Sequence, residues 1–230
     1  MDKIQIIEKL FSFIVTYSYL ALPLAFLLLG KHKFRVVPVA LAIYGVACFI
    51  FLTFYPDTPK NLHPYFQTLY TIFEYLVFTF IFWNNIENRK FKRFMAIASV
   101  AFAMFQVFYL LSGQIKRLDT VPIGIETILV FTYILYFFYE SSKNVGNLYI
   151  YNQYAFWISV GILIYLGGSF FFFILIDHLS RDEVITFGNM TYLAEALKNI
   201  LFAVALFIYT RYPVGNQRHS SAAVPYLDMI

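Results

Sequence analysis

AFWISVGILIYLGGSFFFFILI, residues 155–176, decides the fold. The stretch holds no Asp, Glu, Lys or Arg and is apolar almost throughout. A helix that crosses the hydrocarbon core of a bilayer needs about 20 such residues. Six further stretches match it in length and character: 11–30, 36–54, 65–83, 94–113, 121–139 and 192–209. Those at 11–30, 36–54 and 94–113 are also free of Asp, Glu, Lys and Arg. Membrane barrels are built from short strands of alternating polarity, whereas these runs are long and continuous. In lipid, each segment must satisfy its own backbone N–H and C=O groups, which leaves the helix as the spanning form. The sequence therefore predicts an all-α, polytopic membrane protein. Residues 1–210 form a seven-transmembrane-helix bundle, and residues 211–230 form a short cytoplasmic tail. Pro213, Gly215, Ser220, Ser221 and Pro225 make that tail a disordered segment.

Composition agrees. The 230-residue chain is 60% hydrophobic, 21% aromatic and 13% charged. A soluble domain carries about a quarter charged residues, so this chain is expected to be integral to the cell (inner) membrane, with many passes. Cys48 is the single cysteine, which excludes an internal disulfide and reads as a small buried hydrophobe. The leader mixes Asp2, Lys3, Glu8 and Lys9, and the apolar run after it is longer than a signal peptide needs. The first span is therefore expected to be retained.

Seven spans put the two termini on opposite faces, and basic residues mark the cytoplasmic one. Ten lie on one side: Lys31, Lys33, Arg35, Arg89, Lys90, Lys92, Arg93, Lys143, Arg211 and Arg218. Six lie on the other: Lys3, Lys9, Lys60, Lys116, Arg117 and Arg181. The N-terminus is thus expected outside and the C-terminus inside. The basic inner face suits anionic lipid headgroups, and no nucleic-acid partner is needed to explain it. Short loops predict consecutive helices side by side in an up-down arrangement. The longest loops are expected at 140–154 inside and 177–191 outside.

Four ionisable residues fall within spans: Glu74, Glu126, Glu195 and Lys198. A charge in lipid costs at least about 2.5 kcal/mol, so such residues face a cavity or a partner. Counted from the span starts, Glu74 lies about 13 Å deep, Glu126 about 7–8 Å and Lys198 about 9 Å. All three spans start on the outer side, so the charges are expected to share the outer half, as an outward-opening polar pocket would. Glu195 and Lys198 are spaced to pair on one helix face, with Asn199 beside them. Glu74 needs Lys198, a tyrosine hydroxyl or a proton. The deep tyrosines Tyr17, Tyr19, Tyr44, Tyr70, Tyr133 and Tyr165 are expected to turn inward, because a hydroxyl needs a partner in a dry interior. Gly161, Gly167, Gly168 and Ser169 mark a close helix–helix approach.

Catalytic signatures are missing. His32, His63, His178 and His219 all lie outside the spans and lack the spacing of a helical zinc site. There is no nucleophile elbow, P-loop or dinucleotide fingerprint, so no cofactor is expected. The lysine on the last span and the carboxylate on the third suggest a retinal Schiff base and counterion. The chain has only Trp83 and Trp157 to box a polyene, and does not resemble a microbial rhodopsin. Asn189-Met190-Thr191 is a glycosylation sequon on the outer side.

Phe156-Trp157-Ile158-Ser159-Val160-Gly161-Ile162-Leu163-Ile164-Tyr165, with Gly168-Ser169 after it, resembles the seven-helix membrane sensor-like modules of Bacteroidota, some of which precede a histidine kinase. Leu197-Lys198-Asn199-Ile200-Leu201 and Glu74 fit the same pattern. The resemblance implies a sensory or ligand-binding module. No kinase follows Arg218 here, so a signal would pass to a separate cytoplasmic partner or through the basic face. The expected function is a membrane sensor or receptor-like protein that holds a small or lipophilic ligand with Glu74, Glu126, Glu195, Lys198, Asn199 and Tyr70. The alternative is a secondary transporter or proton-coupled carrier. A lipid-modifying membrane enzyme ranks third, for want of a nucleophile or metal set.

Overall fold

The structure is a computed structural model that describes residues 3–29, 35–112, 120–143, 150–175 and 178–211. Among the described residues eight α-helices follow one another: α1 (Lys3–Ser18), α2 (Ala21–Leu27), α3 (Val36–Phe54), α4 (His63–Asn85), α5 (Arg89–Leu111), α6 (Thr120–Lys143), α7 (Tyr154–Leu175) and α8 (Arg181–Arg211). Among the described residues there is no strand. Seven segments are long and apolar enough to cross a membrane, with α1 and α2 together making the first. The tail expected at 211–230 lies outside the described residues after Arg211, as do Lys31, Lys33, Lys116 and Arg117.

The first span is not one straight helix. A proline has no N–H for the carbonyl four residues back, and for Pro23 that carbonyl is Tyr19's. Leu22 N–H takes it at 3.3 Å in a tighter turn, and α2 starts at Ala21. The break makes room for α3. A side chain on Gly45 would put its Cβ 2.8 Å from the Tyr19 carbonyl oxygen and 2.8 Å from Leu22 Cβ. Only a glycine lets these two backbones meet.

The last helix departs from expectation in the other direction. Residues 181–191, expected to be loop, are the first three turns of α8. Ser180 starts them: its N–H and its hydroxyl both donate to the Glu183 carboxylate, at 2.8 and 2.7 Å. This is one half of a capping box, a signal carried by Ser180 and Glu183 three residues apart. The Asn189 sequon therefore sits within a helix.

The helices pack in sequence order, and the ring closes where α8 lies on α1 and α2. α4 touches α3, α5, α6 and α7, so it forms the centre. α7 and α8 share the longest interface. A Cβ on Gly161 would lie 3.2 Å from the Phe202 ring, and one on Gly168 would lie 3.4 Å from Ala194 Cβ. Gly167 meets only the tip of Phe131, at 4.0 Å, so it is not needed for close packing. On the outside of α5, Ile97, Val100, Met104, Phe108 and Leu111 are exposed. Such a face is costly in water and suited to lipid.

One end of the bundle gathers basic residues. Glu140, near the end of α6, accepts the Glu87 and Asn88 backbone N–H groups at 2.9 and 3.0 Å. Asn88 in turn caps α5 through Lys90 N–H and Phe91 N–H. These contacts bring Arg89, Lys90, Lys92 and Arg93 to the same end as Lys143.

Candidate functional site

Lys198 organises the interior. Its ammonium is fully buried and 3.3 Å from Glu74 Oε1. A lysine has three N–H donors. Here they meet Tyr44 hydroxyl at 2.7 Å, Tyr19 hydroxyl at 3.2 Å and Glu74. The Tyr165 ring lies with its centroid 3.8 Å from the ammonium, close enough for a cation–π contact. Each partner comes from a different element: Tyr19 from the α1–α2 break, Tyr44 from α3, Glu74 from α4 and Tyr165 from α7.

Glu74 is just as fully engaged. Tyr44 donates to Oε1 at 2.5 Å, and Tyr70 approaches the same oxygen at 3.4 Å. Tyr165 donates to Oε2 at 3.1 Å. Every hydrogen-bond partner of Glu74 is a donor. Tyr19 donates to Glu195 Oε1 and lies 3.3 Å from Tyr70 hydroxyl. Glu195 thus does not pair with Lys198 as their spacing suggests. Tyr19 stands between them, accepting from the lysine and donating to the carboxylate. Asn199 leaves the network and donates to Ser18 at 2.8 Å, tying α8 to α1.

Glu74 is the middle residue of α4, Tyr165 lies at the middle of α7, and Lys198 is near the middle of α8. The ion pair therefore lies near mid-length of these helices, and α8 starts at Arg181 rather than at Tyr192. Glu126 is near the start of α6, as expected.

A cavity of about 160 Å³ runs from Glu74 and Tyr165 to Phe51 and Gln67, at the end where α3 finishes and α4 begins. Tyr70, Thr71, Ile123, Glu126, Leu166 and Ser169 complete its wall. Glu126 is buried, and its Oε1 has no hydrogen-bond partner. Of the six candidate residues, Glu74, Tyr70, Glu195 and Lys198 join one network. Glu126 shares the cavity with Glu74 and Tyr70, and Asn199 stands aside. On the basic side of the cluster the buried residues are mostly apolar, among them Phe78, Ile81, Phe82, Phe137, Ile158 and Phe202, with the hydroxyls of Thr79 and Ser159 between them.

The deep tyrosines divide. Tyr19, Tyr44 and Tyr133 are buried, and Tyr70 and Tyr165 are half-buried, but Tyr17 turns outward against Phe13 and Phe49. Tyr75, not among those expected to turn inward, is buried and bonds Tyr133 at 2.8 Å and Ser99 at 3.0 Å. Sequence reasoning named no wall residue besides Glu74, Glu126 and Tyr70 as a ligand contact. A signal was present, since Gln67, Thr71, Tyr165 and Ser169 are polar positions in apolar runs.

Among the described residues, the fold and site define a bundle of seven apolar, span-length segments around a buried ion pair. Comparison of the chain with protein-family models, curated proteins and solved structures gives no match.

Proposed function

We propose that the protein is a multi-pass protein of the cell (inner) membrane that acts as a sensor or receptor, binding a small ligand in the cavity between α3, α4, α6 and α7. The observation that carries this reading is the Glu126 carboxyl oxygen, buried at the cavity wall without a partner. A buried polar atom left unsatisfied costs about 1–3 kcal/mol, and a ligand that satisfies it gains that energy. Next to it, the Lys198–Glu74–tyrosine cluster is complete and joins α3, α4, α7, α8 and the α1–α2 break. A ligand touching Tyr70, Tyr165 or Glu74 would disturb hydrogen bonds that reach all of these, which is the coupling a sensor requires. The likeness of α7 and α8 to sensor-like modules points the same way. Transport fits less well, because a through-path needs polar groups on both sides, and between the cluster and the basic end the buried residues are mostly aromatic and aliphatic, with the hydroxyls of Tyr75, Thr79, Tyr133 and Ser159 but no buried charge among the described residues.

The test is a thermal-shift screen of the purified chain with a chemically broad small-molecule set. At least one compound class raises the melting temperature, and Thr71→Leu, which fills the cavity, abolishes the rise. If every class leaves the melting temperature unchanged, the sensor reading fails. Flux of a candidate substrate into proteoliposomes under a proton gradient would favour the carrier instead.

In the proposed orientation the N-terminus is outside, the C-terminus is inside, and the end bearing Arg89, Lys90, Lys92, Arg93 and Lys143 faces the cytoplasm, where a signalling partner or anionic lipid would meet it. Cys48 is buried, so it leaves a low labelling background. Lys60→Cys is expected to react with an impermeant maleimide on intact cells, and Lys143→Cys only after permeabilisation. The reverse pattern would invert the topology.

A further inference from the structure

The hydrogen-bond inventory of the cavity wall is one-sided. Tyr165 gives its proton to Glu74. Tyr70 gives its own to Glu74 or to Tyr19, at 3.4 and 3.3 Å. Ser169 donates to the Tyr165 carbonyl at 2.7 Å, and Gln67 donates one amide N–H to Tyr55 hydroxyl at 3.0 Å and keeps a second. The nearby Lys198 ammonium has placed all three N–H groups. Thr71 keeps a hydroxyl that either donates or accepts. What else stands unused is acceptor capacity: Glu126 Oε1, with no partner, and Glu74 Oε2, with one donor. An anion would find only the second Gln67 N–H and the Thr71 hydroxyl to donate to it, and two carboxyl groups beside it.

Size and wall chemistry narrow the class. A cavity of about 150 Å³ is large enough for benzene, and this one is about 160 Å³. Phe51 and Tyr70 line it with ring centroids 4.8 Å apart, and aromatic faces attract organic cations. A metal ion fits poorly: among the described residues, no three His, Cys, Asp or Glu side chains are grouped to hold one. We infer that the ligand of this cavity is a small organic ammonium, one ring or short chain in size, whose N–H donors meet Glu126 while its apolar part lies against Phe51, Ile123 and Leu166. The inference rests on the ligand-binding reading above and adds the ligand's charge.

Three isosteric probes separate the possibilities: benzylamine, benzyl alcohol and benzoate, each titrated by calorimetry and thermal shift into the full chain in lipid nanodiscs. The expected result is that benzylamine alone binds saturably and raises the melting temperature. Glu126→Gln is then expected to weaken benzylamine about 10- to 100-fold, as for loss of a charge-assisted hydrogen bond. Binding of benzyl alcohol or benzoate as tight as that of benzylamine overturns the ammonium assignment and leaves the ligand-binding reading standing. Failure of all three probes overturns the assignment as well, while the broad screen above decides the binding reading separately. The comparison among probes uses the wild-type chain, so it holds even if Glu126→Gln does not fold. If Glu126→Gln folds and binds benzylamine unchanged, the role of Glu126 is refuted.

Discussion

Lys198→Met lowers the melting temperature of the purified protein by roughly 6–20 °C, and adding Glu74→Gln to the same chain recovers at least half of the loss. The first figure follows from the cost of breaking a buried ion pair, about 3–5 kcal/mol, at about 2–4 °C per kcal/mol for a chain of this size. The substitution does not merely delete a contact. It leaves the Glu74 carboxylate buried, with tyrosine hydroxyls as its remaining donors and no cation. Glu74→Gln alone makes the mirror-image error, stranding an ammonium among Tyr19, Tyr44 and Tyr165. The double variant removes both charges and keeps an amide whose oxygen accepts from one of the hydroxyls at Oε1 and Oε2 and whose N–H donates to the other. Strict additivity of the two single losses would mean that the residues are not coupled, and would contradict the pair as the organising contact of the interior.

Gly45→Ala is expected to destabilise the fold by about 1–3 kcal/mol, the cost of overpacking, and to do so through the same cluster. The added methyl would meet the Tyr19 carbonyl and Leu22 Cβ, each 2.8 Å away. One of these is backbone and cannot rotate aside, so α3 must part from the α1–α2 break. Tyr44 is the residue before Gly45, and Tyr19 is one of the two atoms' owners. Separation therefore draws both tyrosines away from Lys198. Gly167→Ala is the control: its methyl finds only Phe131 at 4.0 Å, and replacing a mid-helix glycine by alanine is neutral or gains up to about 1 kcal/mol. Equal melting temperatures for the two alanine variants would sink the account of Gly45.

Much of the site was visible before folding, because a charge in an apolar helix is conspicuous. Glu74, Glu126, Glu195 and Lys198 stand out in the sequence, and all four are buried in the fold. Their pairing was not legible. Spacing along α8 put Glu195 with Lys198, yet the lysine takes Glu74 from another helix and reaches Glu195 only through Tyr19. Local spacing describes which residues share a helix face. It is silent on which neighbouring helix presents the better acceptor there. The length of α8 was missed for a related reason. Residues 181–191 hold Arg, Asp, Glu and Asn and look like loop by hydropathy, while the Ser180–Glu183 contact and the wall of α7 make them helix.

By itself the sequence determined the number and kind of the span-length segments. Long apolar runs leave the helix as the form that satisfies its own backbone. The tertiary structure decided everything that needs two helices at once. It set the depth of the ion pair and gave Gly45, rather than Gly167, the tightest approach. It sorted Tyr19, Tyr44 and Tyr165 around Lys198 while turning Tyr17 outward. It also left one carboxyl oxygen of Glu126 without a partner beside a cavity. The reason is physical: a buried polar group is satisfied by whatever lies within about 3 Å of it, and residues from different helices come that close only when the bundle has closed.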